Sequence, residues 1–380
     1  MQILFITEVS PFPTNGGERM RCTGVLKALS ELGHRITAIV NNYDEIDLNK
    51  YSISNVNFIE YNFQKRNTNN IQRVISNFSR DKDLLDLIEK IIITQSTDIV
   101  FIDYFFLGQY ISYFHKKDIP VIYGTHNAQS ILALQDISGN LLNKIKKSIW
   151  YVIYYFHERI FFPKTNSLIA VSKEDKIFYK KFINPDKITI IPNFIDFKEY
   201  NFDPSKKNYI IISGNFYSFQ NKIGTIWFLK NIWKEQLSNK TELLLAGKGS
   251  KELLEDIIIE MDLKNIKATG EVDNIKPYIA GAKAAVVPLL QGSGTRLKCI
   301  EAMALKTQLI STTIGAEGIE HDGSILIAYN AEDFQKQILE VLDDQVDYTD
   351  KAYEICNNKY SLNAIKVPLD RLLNKLIQSE

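Results

Sequence analysis

Cysteine is scarce in this 380-residue chain, charge of either sign is not in excess, and long apolar runs are missing. Each shortage removes a class of function. The three cysteines, Cys22, Cys299 and Cys356, are odd in number and far apart. They are expected to be reduced small hydrophobes, not a disulfide framework or a zinc site. Lys and Arg number 45 against 45 Asp and Glu, and this zero formal charge argues against a bulk nucleic-acid binder. No segment supplies about 18 uninterrupted apolar residues, so no transmembrane helix is expected. The opening MQILFITEV has no basic flank followed by a long apolar core and cleavage site, and reads as a first strand. Low-complexity tracts and short repeats are absent too. The expected setting is the cytoplasm, with peripheral contact at the inner face of the membrane left open.

What the chain does hold is ordinary globular composition, 45% hydrophobic and 24% charged, and enough length for two cores. Ile3–Val9 reads as a buried strand, followed by SPFPTNGGERM and then a helical pattern carrying Val25, Leu26, Leu29 and Leu32. Gly33 ends that helix and Ile36–Val40 is the next strand. Strand, helix, strand is how a parallel doubly wound sheet begins. Val56–Tyr61 is a third expected strand and Ile71–Ile93 a helix. Asp98–Ile102 and Val121–Gly124 end at Asp103 and at Thr125-His126-Asn127, where open parallel sheets bind ligands. Leu141–Phe162 is a helix rich in aromatics. Residues 138–187 hold ten Lys or Arg against four Asp or Glu. A core helix with a solvated basic side accounts for this, as does a surface for an anionic membrane or a lipid-diphosphate acceptor. Ser172 caps the helix Lys173–Phe182, and Ile188–Ile191 runs into Pro192-Asn193-Phe194-Ile195-Asp196, where Asn193 and Asp196 are expected as turn formers.

Phe197–Asn208 lacks apolar periodicity and is expected to be a linker. From Tyr209 the alternation restarts, with Gly214-Asn215 after the first strand and Gly247-Lys248-Gly249 after the second. The expected organisation is therefore 1–196, a linker at 197–208, a second Rossmann-like domain at 209–360, and a last helix at 361–380 packing back on the first domain.

The chemistry concentrates in Val286–Ser311, VVPLLQGSGTRLKCIEAMALKTQLIS, which reads as strand, Gly-Ser-Gly-Thr turn, helix N-terminus and strand. Unpaired amides and the dipole at such a terminus seat a phosphate. Gly292 and Gly294 let backbone approach it closely. Arg296 and Lys298 neutralise a diphosphate and make a divalent metal dispensable, while Glu301 is suited to accept hydrogen bonds from a ribose. The plain alternative is an ordinary turn with a Lys298–Glu301 surface ion pair.

GSGTRLKCIEAMALKTQLIST, with IPNFID, AVSKEDK, THNAQ and NGGERMR, resembles the retaining, GT-B-fold glycosyltransferases of the family 4 type, the bacterial surface-polysaccharide sugar transferases. The resemblance spans nearly the whole chain. It implies an α/β architecture of two Rossmann-like doubly wound domains facing across a cleft, a nucleotide-diphosphate sugar as donor, a glycan or lipid-linked acceptor, and no cofactor. In that family a Glu precedes a second Glu with seven residues between them; the second is Glu301, on the donor ribose, and the first falls on Ser293. The resemblance therefore gives the donor sugar to Ser293 and the amides of Gly294 and Thr295. The family's Arg and Lys of the second domain's first turn fall on Asn215 and Asn221, which shifts phosphate neutralisation to Arg296 and Lys298, with Lys222 as a further candidate.

The resemblance assigns His126, Arg296 and Lys298 to catalysis. Gly214, Asn215, Gly292, Ser293, Gly294, Thr295, Leu297 and Glu301 are assigned to the donor, and Gly16 and Gly17 to the diphosphate and acceptor side. Glu18, Arg19 and Arg21 are acceptor contacts or plain first-turn charges, His126 is otherwise a structural hydrogen-bonder, and Glu317 is a turn residue. Three rivals stand beside this reading: a nucleotide-sugar epimerase of the same fold, an inactive partner subunit, and a dinucleotide oxidoreductase, which the absence of G-x-G-x-x-G after the first strand disfavours.

Overall fold

The computed structural model describes residues 1–14, 16–42, 47–63, 78–135, 137, 141–202, 205–292 and 296–378. The chain divides into two compact units, Met1–Asn193 with Ile365–Glu380, and Phe194–Ala364.

The first unit contains β1 (Gln2–Ile6), α1 (Gly17–Glu31), β2 (Arg35–Val40), β3 (Val56–Glu60), α2 (Lys82–Thr94), β4 (Ile99–Ile102), α3 (Ile111–His115) and β5 (Val121–Gly124). It continues with α4 (Gln129–Gln135), α5 (Leu141–Phe161), β6 (Ser167–Ala170), α6 (Lys173–Tyr179) and β7 (Ile188–Ile190). Its sheet is parallel throughout, in the order β3-β2-β1-β4-β5-β6-β7. Both faces are covered, so the central strands are unbroken apolar runs; Ile3, Leu4, Phe5 and Ile6 are all buried. The order reverses between β1 and β4, the switch at which such sheets open a binding crevice. Some helix starts follow side-chain chemistry. Asp81 accepts from the Leu84 amide at 3.1 Å and caps α2, and Ser172 accepts from the Asp175 amide at 3.0 Å and caps α6 as its position predicts. The expected helix from Ile71 lies outside the described residues as far as 77, and α2 begins only after its cap. β1 also stops earlier than Val9, because Thr7 turns its hydroxyl to the Asp103 carbonyl at 3.0 Å.

The second unit contains β8 (Lys207–Ser213), α7 (Phe219–Asn231), α8 (Glu235–Ser238), β9 (Glu242–Ala246), α9 (Ser250–Glu260), β10 (Ile266–Gly270), α10 (Lys276–Ala280) and β11 (Ala282–Val287). After these come α11 (Leu297–Ala304), β12 (Gln308–Ser311), β13 (Leu326–Ile327), α12 (Ala331–Leu342) and α13 (Thr349–Tyr360). The parallel sheet runs β10-β9-β8-β11-β12-β13, with its switch between β8 and β11. Trp233, Phe228 and Phe334 fill the core on one side of this sheet.

The stretch expected as a linker lies within the second unit. Phe197–Glu199 forms a short helical turn, the Phe197 ring packs edge-on against Tyr353 at 5.4 Å, and Tyr200 is buried. Two aromatic side chains supply burial there without any periodic pattern to announce it. The final helix, α14 (Leu362–Ile377), passes into the first unit at Ile365. Its Lys366 pairs with Glu31 at 2.7 Å and its Lys375 donates to the Asp186 carbonyl at 2.9 Å.

Candidate active-site residues in each unit

In the first unit the segment leaving β1 is pinned at both ends. Val9 N–H donates to the Thr7 hydroxyl at 3.0 Å, and Thr23 of α1 donates to the Pro11 carbonyl at 2.8 Å. This delivers Gly16 to the cap position of α1, with φ +110° and no side-chain cap, and Gly17 to its first turn; both are exposed. Arg21, one turn on, is not a first-turn surface charge. It is buried, and its Nη1 donates to the carbonyls of Ile191 and Pro192 at 3.3 and 3.2 Å and to Asn193 Oδ1 at 3.2 Å. Burial lowers its pKa, while the attraction of Asp103 and Asp175 acts against the shift.

Asp103 and His126 come from the ends of neighbouring strands. His126 Nε2 stands 3.3 Å from Asp103 Oδ2, and the carboxylate is 1% exposed. Gly124 makes the approach feasible, since a Cβ there would stand 2.7 Å from Asp103 Oδ1. Thr125 fixes the strand end by donating its hydroxyl to the Ile169 carbonyl at 2.8 Å. Beyond His126, the buried Glu158 of α5 accepts from the Ser130 amide and hydroxyl at 3.2 and 2.5 Å, which ties α4 to α5. Burial raises the Glu158 carboxyl to about 7, against the pull of the Ser130 bonds.

In the second unit the turns after β8 and β9 lie backbone against backbone. A Cβ on Gly247 would stand 2.2 Å from the Gly214 carbonyl oxygen. Lys298, from the second position of α11, reaches into the β8 turn. Its Nζ donates to the Ser213 carbonyl at 3.1 Å and to Asn221 Oδ1 at 2.7 Å. Asn221 in turn donates to the Asn215 carbonyl at 2.8 Å, and Asn215 Oδ1 accepts from the Tyr217 amide at 3.0 Å. Burial, followed by repulsion from Arg296, pushes the Lys298 ammonium down to about 8 against the pull of Cys299 and Glu301. The Arg296 guanidinium folds over Gly292, where a Cβ would meet its Nη2 at 2.5 Å, and lies 3.8 Å from Glu317 Oε2. Glu317 is thus more than a turn residue.

Glu301 faces the other way. Its Oε1 accepts from the Tyr200 hydroxyl at 3.0 Å. Burial raises its pKa, and the Tyr200 bond, Lys276 and Lys298 oppose that shift in decreasing order. The Tyr200 ring carries Lys276 Nζ 4.4 Å from its centroid, and Lys276 pairs with Glu199 at 3.2 Å. The surface pair expected as the plain alternative is therefore not how these residues are used: Lys298 turns to Ser213 and Asn221, and Glu301 turns to Tyr200. Leu297 is the first residue of α11 and partly exposed. Ser293, Gly294 and Thr295 lie outside the described residues. Sequence reasoning passed over Tyr200 entirely and took Asp103 only as a strand end. Asn221 had a signal, as one of two asparagines at positions where cations were expected.

Residues 15–199 match the model described as Glycosyltransferase Family 4, and residues 207–344 match that described as Glycosyl transferases group 1. The chain belongs to these glycosyltransferases. A 44.6 kDa protein of the cps region of Klebsiella pneumoniae is 24% identical over 362 residues, covering 89% of this glycosyltransferase and 90% of the relative. Among solved structures, Anabaena HepE in complex with UDP superposes with a TM-score of 0.70 at 14% identity, covering 99% of this chain and 100% of that one. WaaG, a glycosyltransferase involved in lipopolysaccharide biosynthesis, gives 0.67 at 13% identity, over 97% and 98%. These likenesses show the shared GT-B fold. In this glycosyltransferase the two family matches leave 200–206 between them, so Tyr200, the partner of Glu301, stands just outside both.

Proposed function

We propose that this glycosyltransferase moves a sugar from a nucleotide-diphosphate sugar to a glycan or lipid-linked acceptor of a surface polysaccharide, with retention at the anomeric carbon. The observation that carries the reading is the Lys298 ammonium held on the β8 turn by Ser213 and Asn221. A cation stands at the turn whose own positions 215 and 221 are asparagines. HepE's complex with UDP supports the donor class, and WaaG's part in lipopolysaccharide biosynthesis supports the pathway class.

Departure of the sugar leaves the bonding electron pair on the diphosphate and adds one negative charge to the phosphate it departs from. Lys298 and Arg296, preorganised before the donor arrives, stabilise that charge without a divalent metal; such stabilisation is usually the largest catalytic term. The leaving diphosphate takes the acceptor hydroxyl's proton on the face it departs from, so the new bond keeps the old configuration. Glu301 accepts hydrogen bonds from the ribose, Gly214, Gly292 and the amides of 293–295 line the donor, and His126, backed by Asp103, contacts the transferred sugar. A lipid-linked acceptor brings peripheral membrane contact into the same reading.

The test is donor hydrolysis and transfer with a panel of radiolabelled nucleotide sugars. Lys298→Ala and Arg296→Ala are expected to cut turnover by about 10²- to 10³-fold, and Glu301→Ala chiefly to weaken binding of the free nucleotide in a titration. Unchanged turnover in both cation variants sinks the assignment. Absence of hydrolysis with every donor favours an inactive partner subunit.

A further inference from the structure

We infer that Glu158 is a positioning residue for His126, which it holds in place through Ser130. The inference rests on the proposed contact of His126 with the transferred sugar. Glu158 lies on the buried side of α5, and it is 1% exposed. A carboxyl so placed is costly unless its oxygens are paired. Both of them go to one residue of α4: Ser130 donates its amide to Oε1 at 3.2 Å and its hydroxyl to Oε2 at 2.5 Å. The Gln129 amide, at the start of the same helix, also draws the carboxyl's pKa down. Packing alone would be served as well by two apolar groups of the same shape. What the polar pair adds is a fixed direction and distance between α5 and the start of α4.

That start is the far end of the segment carrying His126. The near end is fixed by Thr125, whose amide and hydroxyl both donate to the Ile169 carbonyl, at 3.1 and 2.8 Å. Between the ends, the Asn127 carbonyl accepts from the Tyr179 hydroxyl of α6 at 3.1 Å, and Ala128 is fully buried. His126 has no comparable anchor in its ring. Its Nε2 stands 3.3 Å from Asp103 Oδ2 without meeting hydrogen-bond geometry, and neither atom has a hydrogen-bond partner among the described residues. The ring therefore takes its place from its backbone, and the backbone from its anchors at Thr125, Asn127 and Ser130. An active group keeps its geometry only while such supports are locked, and a misplacement of about 1 Å can cost about a hundredfold in rate. The pair also says which substitution is tolerated. In Glu158→Gln the amide oxygen accepts from the Ser130 N–H and the amide nitrogen donates to the Ser130 hydroxyl, so both bonds survive. In Glu158→Ala both are lost.

The experiment follows the His126 ring by NMR in the full chain, isotopically labelled at its histidines. The chain has five, and His126→Ala assigns the signal of interest. Glu158→Ala is expected to move or split that signal, Ser130→Ala to move it less, and Glu158→Gln to leave it as in wild type. Turnover in donor hydrolysis should follow the same order: about 10- to 100-fold lower in Glu158→Ala, several-fold lower in Ser130→Ala, and near wild type in Glu158→Gln. Affinity for UDP should be unchanged in all three. In a His126→Ala background Glu158→Ala should remove nothing more. A purely structural role would lower the unfolding temperature and leave the ring signal and the turnover of the folded enzyme where they are. A His126 signal unchanged in Glu158→Ala, or a loss of turnover equally large with and without His126, overturns the inference. Ser130→Ala removes only a hydroxyl and decides the matter by the same readouts where Glu158→Ala does not fold. His126→Ala that hydrolyses donor at the wild-type rate counts against the contact between His126 and the sugar, and the ring signal still decides whether Glu158 places His126.

Discussion

The two units use one design with opposite charge at its working end. In each, the polar residues gather where the strand order turns, at β1 and β4 in the first and at β8 and β11 in the second. The first unit ends its strands on a buried carboxylate, Asp103, with His126 3.3 Å away. The second ends beside two cations, Lys298 and Arg296, brought in from the start of α11 and the residue before it. Packing differs as well. Gly16 has open space around it, whereas Gly247 rests on the carbonyl of Gly214. One scaffold thus yields an open, acid-backed strand end and a close-packed cationic one, and small residues at the strand ends make the difference.

The packing half of this contrast has the largest expected effect. Gly247 has φ +127° and its missing Cβ would sit 2.2 Å from backbone oxygen, so Gly247→Ala combines a strained conformation with a clash no rotamer relieves. A loss of about 3 kcal/mol or more is expected. Gly16 also has positive φ, +110°, but nothing within 4 Å, and Gly16→Ala should cost about 1–2 kcal/mol. Thermal or denaturant unfolding of both variants checks the ordering, and equal losses would remove the distinction in packing.

The charge half predicts a pH dependence. Lys298 is held near 8 against an ordinary value of 10.5. Between those values the unfolded chain keeps a proton that the folded chain has released, so this group's contribution to stability rises with pH across the window. Nucleotide binding runs the opposite way: as pH climbs through about 8 the ammonium is lost and diphosphate affinity falls, by up to about tenfold per pH unit. Lys298→Arg keeps its charge at every pH in that window and should abolish the slope. Calorimetric titration with UDP on either side of pH 8 makes the comparison; a flat wild-type profile would mean that Lys298 does not meet the diphosphate.

How much of this was legible depended on whether a residue's partner was local in the chain. The strand Val121–Gly124 announces itself as an apolar run and appears with those bounds. The start of α11 was readable because glycines, cations and a carboxylate stand within one short stretch. Tyr200 was not, because its value lies in a hydroxyl that meets Glu301 across 101 positions, and its neighbours show no period. The fate of Arg21 was hidden for the same reason: its acceptors lie about 170 residues on. The outer face of α5, where Ile149 and Phe156 are exposed, was half legible, since its lysines could be counted but periodicity alone does not say which side of a largely apolar helix is buried.

Tyr200 supplies the most discriminating test of the cationic end. Its hydroxyl is one of three influences that hold the Glu301 carboxyl down against burial. Tyr200→Phe is expected to cost about 1.5–3 kcal/mol of stability, the usual scale for a hydrogen bond to a charged group, and to raise the Glu301 pKa further. A carboxyl with a raised pKa loses its acceptor character as pH falls through that value. If Glu301 holds the ribose, nucleotide affinity in the phenylalanine variant must begin to fall at a higher pH than in wild type, and Glu301→Gln must remove that acid limb from both backgrounds. Titrations with free nucleotide on the acid side of neutrality read this directly. An acid limb that stays in place in Tyr200→Phe would leave Tyr200 as packing alone and detach Glu301 from the ribose.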